Sequence, residues 1–376
     1  MKIAYKKKSV GISFYVAISI CLSTIACKKN EEVKPNTSTV SVSTNDKTFF
    51  AQLKKTGDEF AKGNIWRGYN FDKTPMYLVY RDASGTPVRG YLVNPISTIA
   101  GAVKVSEADN QGLNVYRYDA MINQANTKLK AGNDAFEFNY KIEGNDYYLQ
   151  AYADQDIANY EAISLATHEV FHTFQFTSAW SPNPGELQDE QNYPINADLL
   201  SYQLLLLKIA EKMPKETDQA KIKSYLEMYV ALREAEMKLD PSPSKLVRFM
   251  ANNQEEGEGT ARYIEYAVNY RVFSDFTSKR PSFVDVNSVE ITSQRQVRST
   301  FAFGIWYSTG AAVAYMLDNQ GVDIATQIQS NKNVYEVAVA HLNLTEAQKT
   351  AALNQAKVEF NWTSIQQEAA RLMALR

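Results

Sequence analysis

The main change in the spacing of apolar positions along this chain falls near residue 156, dividing it into a strand-rich part and a helical part. Residues 48 to about 62 show helical spacing, and residues 75 to 152 show the spacing of strands. The strand signal is clearest where Phe136, Phe138, Tyr140 and Ile142 alternate with Glu137, Asn139 and Lys141. A period of two sends alternate side chains to one side, so this segment is expected to be a strand with one apolar face. Glu143-Gly144-Asn145-Asp146 supplies turn residues, and residues 147 to 152 read as the return strand of a hairpin.

After residue 156 the pattern is helical almost to the end. In the first helix Ile163, Thr167, Val170, Phe171 and Phe174 mark a core face, while His168, His172 and Gln175 form a separate stripe. Further helices are expected over 196–212, 215–238 and 244–252, split by Pro214 and by Asp240-Pro241-Ser242-Pro243. Two more follow over about 257–270 and 303–318, and 334–376 reads as two or three short amphipathic helices. No internal repeat is visible. The expected fold class is α+β: a small antiparallel sheet within a mostly β region, 47–156, followed by a mostly helical region, 157–376.

The chain of 376 residues is 45% hydrophobic and 22% charged, an ordinary globular composition. Its formal charge of −2 and the lack of a basic stripe beyond the first residues give no reason to expect nucleic acid as a partner. Both cysteines, Cys21 and Cys27, lie near the N-terminus, so the body holds neither a disulfide nor a thiolate metal site.

The N-terminal segment reads as an export signal. Lys2, Lys6, Lys7 and Lys8 precede an apolar run over 9–25 that ends in Ala26-Cys27. This resembles a bacterial lipoprotein signal peptide, 1–26, in which Cys27 becomes the lipidated first residue. Thr24 stands where Leu is commonest. The alternative is an uncleaved membrane anchor flanked by Lys28 and Lys29. Cleavage before Cys27 removes four Lys and no acid, taking the net charge from −2 to −6. The polar, Ser/Thr-rich stretch that follows, 27–46, reads as a flexible tether. Glu31-Glu32 resembles surface-export signals of some Gram-negative lipoproteins. The expected location is the bacterial cell envelope, on the outer membrane through lipid on Cys27.

The most chemically specific segment is His168-Glu169-Val170-Phe171-His172, a HExxH motif on the first helix of the helical part. Two imidazoles four residues apart project from one helix face, about 5–6 Å apart, and can ligate one zinc ion. Glu169 lies beside the first of them, placed to act as general base on a metal-bound water. A catalytic zinc usually takes a third protein ligand. The remaining histidine, His341, sits in a polar helical segment and reads as a solvated surface residue. Carboxylates are better candidates: Glu186, Asp189 and Glu190 in a Pro/Gly-rich loop, Asp198 at the start of the next helix, and Glu258 in Glu258-Gly259-Thr260-Ala261-Arg262-Tyr263. Gly259 and Ala261 are small enough to let a second helix approach closely.

HExxH followed by a helix reading EGxAxY resembles gluzincin-like zinc metallopeptidases, and a sheet preceding the active-site helix resembles zincin peptidases generally. Tyr307-Ser308-Thr309-Gly310-Ala311-Ala312 also resembles a segment shared by a group of bacterial HExxH proteins. The resemblance covers roughly residues 157 to 330. It implies Zn2+ on His168, His172 and Glu258, with Glu169 as base. It also implies that Tyr307 is a phenol steadying the tetrahedral intermediate, although in a chain with 23 Tyr packing is its other reading. The interval from His172 to Glu258 is long for the best-known gluzincins, so the intervening helices form an insertion. Glu265, two turns beyond Glu258, and Asp198 are candidates to orient a ligand histidine. The implied activity is hydrolysis of extracytoplasmic peptides or proteins. The alternatives are a zinc hydrolase of a non-peptide bond and a surface binding lipoprotein with a non-catalytic metal site. The intact Glu169 argues against the last.

Overall fold

The computed structural model describes residues 39–63, 65–177, 180, 182, 187–284 and 290–376. The export signal, both cysteines, most of the tether and Glu186 lie outside the described residues. The fold is α+β, as the change of period predicts.

Seven strands form one sheet: β1 (Thr39–Val40), β2 (Met76–Arg81), β3 (Pro87–Val93), β4 (Val103–Val105), β5 (Val115–Arg117), β6 (Phe136–Ile142) and β7 (Asn145–Tyr152). Their order is β1-β4-β5-β3-β2-β7-β6. The sheet is mixed rather than wholly antiparallel, because β1 runs parallel to β4 and β2 runs parallel to β7. The helices are α1 (Thr44–Ala61), α2 (Ile122–Ala131), α3 (Asp154–Ala158), α4 (Glu161–Thr177), α5 (Leu187–Asn192), α6 (Ala197–Lys212), α7 (Gln219–Lys238), α8 (Leu246–Gln254) and α9 (Thr260–Val272). They continue as α10 (Phe276–Lys279), α11 (Gln294–Ser299), α12 (Ile305–Asn319), α13 (Ile324–Gln329), α14 (Val334–Leu342), α15 (Glu346–Glu359) and α16 (Trp362–Met373). The short helix α2, inside the strand-rich part, escapes the period-two reading.

Residues from Thr39 on are folded, where the polar composition suggested a tether. Ser43 caps α1 by accepting from Asp46 N–H. Asp46 itself is fully buried. It accepts from Arg89 Nε at 2.6 Å, from Tyr91 Oη at 2.8 Å and from Tyr152 Oη at 2.7 Å. One buried carboxylate thus ties the start of α1 to β3 and β7, and the last residues assigned to the tether are folded.

Both faces of the central strands are buried. Met76, Leu78 and Tyr80 face the large core shared with the helical part, and Tyr77 and Val79 face a smaller core under α2. The first face joins the two regions into one core, so the boundary near residue 156 divides the chain but not the packing.

The alternating strand behaves differently from its pattern. In β6, Phe136 pairs with Gln150 and Glu137 with Leu149, but Tyr140 pairs with Tyr147, so a bulge shifts the register between Glu137 and Tyr140. An extra residue on one strand flips the side chains beyond it to the opposite face. Phe136 and Phe138 therefore face the helical body, while Tyr140 and Ile142 face the α2 core. The single apolar face expected from sequence is two faces, and the flip delivers Phe138 to the histidine helix. There its ring centroid lies 6.5 Å from that of His172.

Candidate metal centre

Helix α4 is buried on nearly every side. Behind it Trp66, Tyr69 and Trp180 pack on its Phe171, with the Trp66 and Trp180 rings stacked at 5.5 Å. This wall fixes the helix so that the stripe of His168, His172 and Gln175 faces α9.

Helices α8 and α9 form one continuous rod joined by a π-turn over Glu255–Gly259. Such turns insert an extra residue into a helix and re-aim the side chains around it. Here the three neighbouring glutamates take three different surroundings. Glu255 turns into a fully buried network. It receives hydrogen bonds from Arg233, from Tyr229 and from Thr309, and Arg233 also pairs with Glu236. Glu256 accepts from Trp180 Nε1. Glu258 turns to the histidines.

Two glycines allow that approach. A Cβ on Gly259 would lie 2.5 Å from Gly310 Cα of α12, and one on Gly310 would lie 2.7 Å from Gly259 Cα and 2.8 Å from the Glu255 carbonyl oxygen. The π-turn and α12 therefore meet backbone to backbone. The small residue at 259 admits α12 rather than the histidine helix itself.

Glu258 Oε2 lies 3.4 Å from His168 Nε2 and 3.2 Å from His172 Nε2, and the three atoms fall within 4.8 Å of one another. Ligand atoms each about 2.0–2.1 Å from a tetrahedral zinc are separated by about 3.3 Å, and the two spacings from Glu258 to the imidazoles match that value.

The surroundings set the tautomers. Gln175 Nε2 donates to the Gly257 carbonyl and to Thr260 Oγ1, both at 3.0 Å. Its Oε1 therefore faces His172 Nδ1, at 2.7 Å, and can only accept. This places a proton on Nδ1 and leaves Nε2 as the ring atom turned to the site. Glu265 Oε2 lies 3.3 Å from His168 Nδ1, an ionic contact rather than a well-aligned hydrogen bond, and favours the same tautomer there.

The electrostatics favour a cation. Burial opposes charge on His168, but Glu258 and Glu265 outweigh it and raise the imidazole to about 10. His172 rises as well, burial again opposing and Glu258 prevailing. Burial also opposes charge on Glu258, yet the two imidazoles hold its carboxyl well below the usual range. Glu169 responds in the other direction. It is 3% exposed, and burial raises its carboxyl to about 7 against the pull of both histidines.

Tyr307, on α12, stacks on His168 with centroids 5.7 Å apart and planes 8° from parallel, its hydroxyl engaged with the Glu258 carboxylate. On the opposite flank Phe138 and the half-exposed Phe176 wall His172.

Every residue assigned to the metal and its chemistry from sequence thus lies here: His168, Glu169, His172, Glu258 and Tyr307. Glu265 is beside them. Asp198 and His341 are exposed and outside the cluster, and the half-buried Asp189 and Glu190 are outside it too. The Arg233–Glu255 network escaped the sequence reading because nothing local links residue 233 to residue 255. The small residues Gly259 and Gly310 were its only trace. Comparison with family models, curated proteins and solved structures finds no match to this chain.

Proposed function

We propose that this chain is a zinc-dependent hydrolase acting on extracytoplasmic peptides or proteins. The observation that carries the reading is the convergence of His168 Nε2, His172 Nε2 and Glu258 Oε2 at zinc-ligand spacing, with a buried carboxyl, Glu169, beside them.

His168, His172 and Glu258 would hold the ion, which when bound supplies a Lewis acid that polarises a carbonyl and acidifies water. Glu169, buried beside the histidines, is placed to accept a proton and return it to a leaving amine. Tyr307 stays protonated, because burial pushes its phenol well above its ordinary value. Its hydroxyl can therefore donate to oxygen as negative charge develops there. Gln175 and Glu265 hold the two rings in the tautomer that leaves Nε2 free. A peptide is favoured over other acyl substrates by β6, an edge strand of the sheet that brings Phe138 to the site, since an extended peptide can pair with such an edge.

The envelope location, with lipid on Cys27 and the membrane as partner, rests on the sequence of residues 1–27. Among the described residues no helix is long and apolar enough to cross a membrane.

The test is metal analysis and peptide-library digestion of purified wild type and Glu169→Gln. One zinc per chain in both, with cleavage in wild type only, supports the reading. Protein that takes up no zinc refutes it, as does cleavage by Glu169→Gln at the wild-type rate.

A further inference from the structure

His168 and Glu169 form one end of a cleft of about 920 Å3 that runs outward past the C-terminal ends of β2 and β7 and the N-terminal ends of α3 and α4. Its charges are unequal: seven carboxylates and three guanidiniums line it, and no lysine does. Arg81 is committed to Asp134 at 2.8 Å, and Arg262 lies 3.5 Å from Glu265. That leaves five carboxylates, Asp82, Asp154, Asp156, Glu161 and Glu169, with Arg280 as the remaining guanidinium of the cleft. Asp82 accepts from Ser84 and Thr86, and Asp156 from the Ala153 N–H, so neutral donors hold them in place without cancelling their charge. Asp154, Asp156 and Glu161 lie in the first turns of α3 and α4, and burial raises the Glu161 carboxyl against the pull of Arg280. A concave wall of one sign concentrates the field in the space it encloses.

A second observation, independent of the acids, marks the cleft as a place for a ligand. Ser164 lines it, the residue is 2% exposed, and its Oγ has no hydrogen-bond partner among the described residues. Buried polar atoms without partners are rare and costly, and one on a residue that lines a cleft has hydrogen-bonding capacity left for a bound group.

We infer that this cleft binds a basic stretch of polypeptide, the lysine or arginine side chains lying against Asp154, Asp156 and Glu161 and Ser164 meeting the chain near Glu169. The inference rests on the hydrolase reading above and names its substrate class.

The experiment reads binding rather than turnover. The zinc-loaded full chain carries Glu169→Gln in every arm, and the probes are fluorescein-labelled Gly/Ala decapeptides containing three Lys, three Gln or three Glu, followed by fluorescence anisotropy. The Lys probe is expected to bind at least about tenfold more tightly than the Gln probe, with the Glu probe weakest. Adding Asp154→Asn and Glu161→Gln should shrink the Lys-over-Gln ratio to below about threefold, whereas Asp58→Asn with Glu346→Gln, the same charge change at exposed sites, should preserve it. Equal affinity for the Lys and Gln probes overturns the inference. So does a ratio unchanged by the cleft substitutions, or one reduced as much by the distant pair. Because no bond is broken in this assay, selective binding of the Lys probe together with a wild-type protein that cleaves no peptide would refute the hydrolase reading and leave the cleft's preference for basic peptides standing.

Discussion

Gly310→Ala sets two magnitudes of opposite sign against each other. In an open helix this change stabilises by about 0.5–1 kcal/mol, because alanine loses less backbone freedom on folding. At position 310 the new methyl would meet Gly259 Cα at 2.7 Å, the Glu255 carbonyl oxygen at 2.8 Å and Glu255 Cα at 2.9 Å. All three are backbone atoms of the π-turn, so no side chain can rotate away. Overpacking of this kind costs about 1–3 kcal/mol, occasionally more, and the rigid neighbours place this site at the upper end. The clash wins, for a net destabilisation of about 2 kcal/mol. Relief requires α12 and the π-turn to part by about 0.6 Å, whereas metal–ligand distances tolerate about 0.2 Å. Glu258 rides on that turn, so zinc affinity should fall by about tenfold or more, together with a drop of a few degrees in Tm. Competition against a chromophoric chelator measures the first and thermal denaturation the second. Gly304→Ala is the control, since its Cβ would meet Ser299 O at an ordinary 3.4 Å. A Gly310→Ala protein that is as stable as wild type and binds zinc equally well would show that the two segments are not in backbone contact, and the account of how Glu258 is placed would fail.

Glu258→Ala should weaken zinc binding by orders of magnitude by equilibrium dialysis, while Asp198→Ala and Glu256→Gln leave it near wild type; the reverse pattern would move the third ligand elsewhere. Glu255→Ala leaves Arg233 buried beside Glu236 alone and should cost about 3–5 kcal/mol in denaturant unfolding, so it is a stability variant rather than a neutral neighbour of Glu258. Asp46 is opposed by burial but held below its ordinary value by Arg89, Ser43, Tyr152 and Tyr91; its folded pKa lies under its unfolded one, so its stabilisation is present above about pH 4 and disappears as pH falls through the folded value. Acid unfolding of Asp46→Asn should accordingly show a shallower loss of stability below pH 4 than wild type. Mass spectrometry of membrane-extracted protein should find a mature chain beginning at a lipid-modified Cys27, and an intact 1–26 segment would favour the uncleaved anchor.

Local geometry accounts for what the sequence alone determined. Two histidines four residues apart share a helix face wherever that helix packs, so His168, His172 and the intervening Glu169 were legible as a unit, and Gln175 fell on the same stripe. The change from period two to helical period separated sheet from helices for the same reason, since each period belongs to one backbone conformation. The rest depended on segments far apart in sequence. The alternation of Phe136, Phe138, Tyr140 and Ile142 gives no sign of the bulge that flips its second half, because register is decided by pairing with β7. Four neighbouring residues, Glu255, Glu256, Gly257 and Glu258, offer three equivalent carboxylates. Which one reaches the imidazoles was settled by the π-turn, by Arg233 drawing Glu255 into the core, and by the contact of Gly259 with Gly310. Those determinants lie up to 77 residues apart in sequence, and only the packed helices bring them within bonding distance.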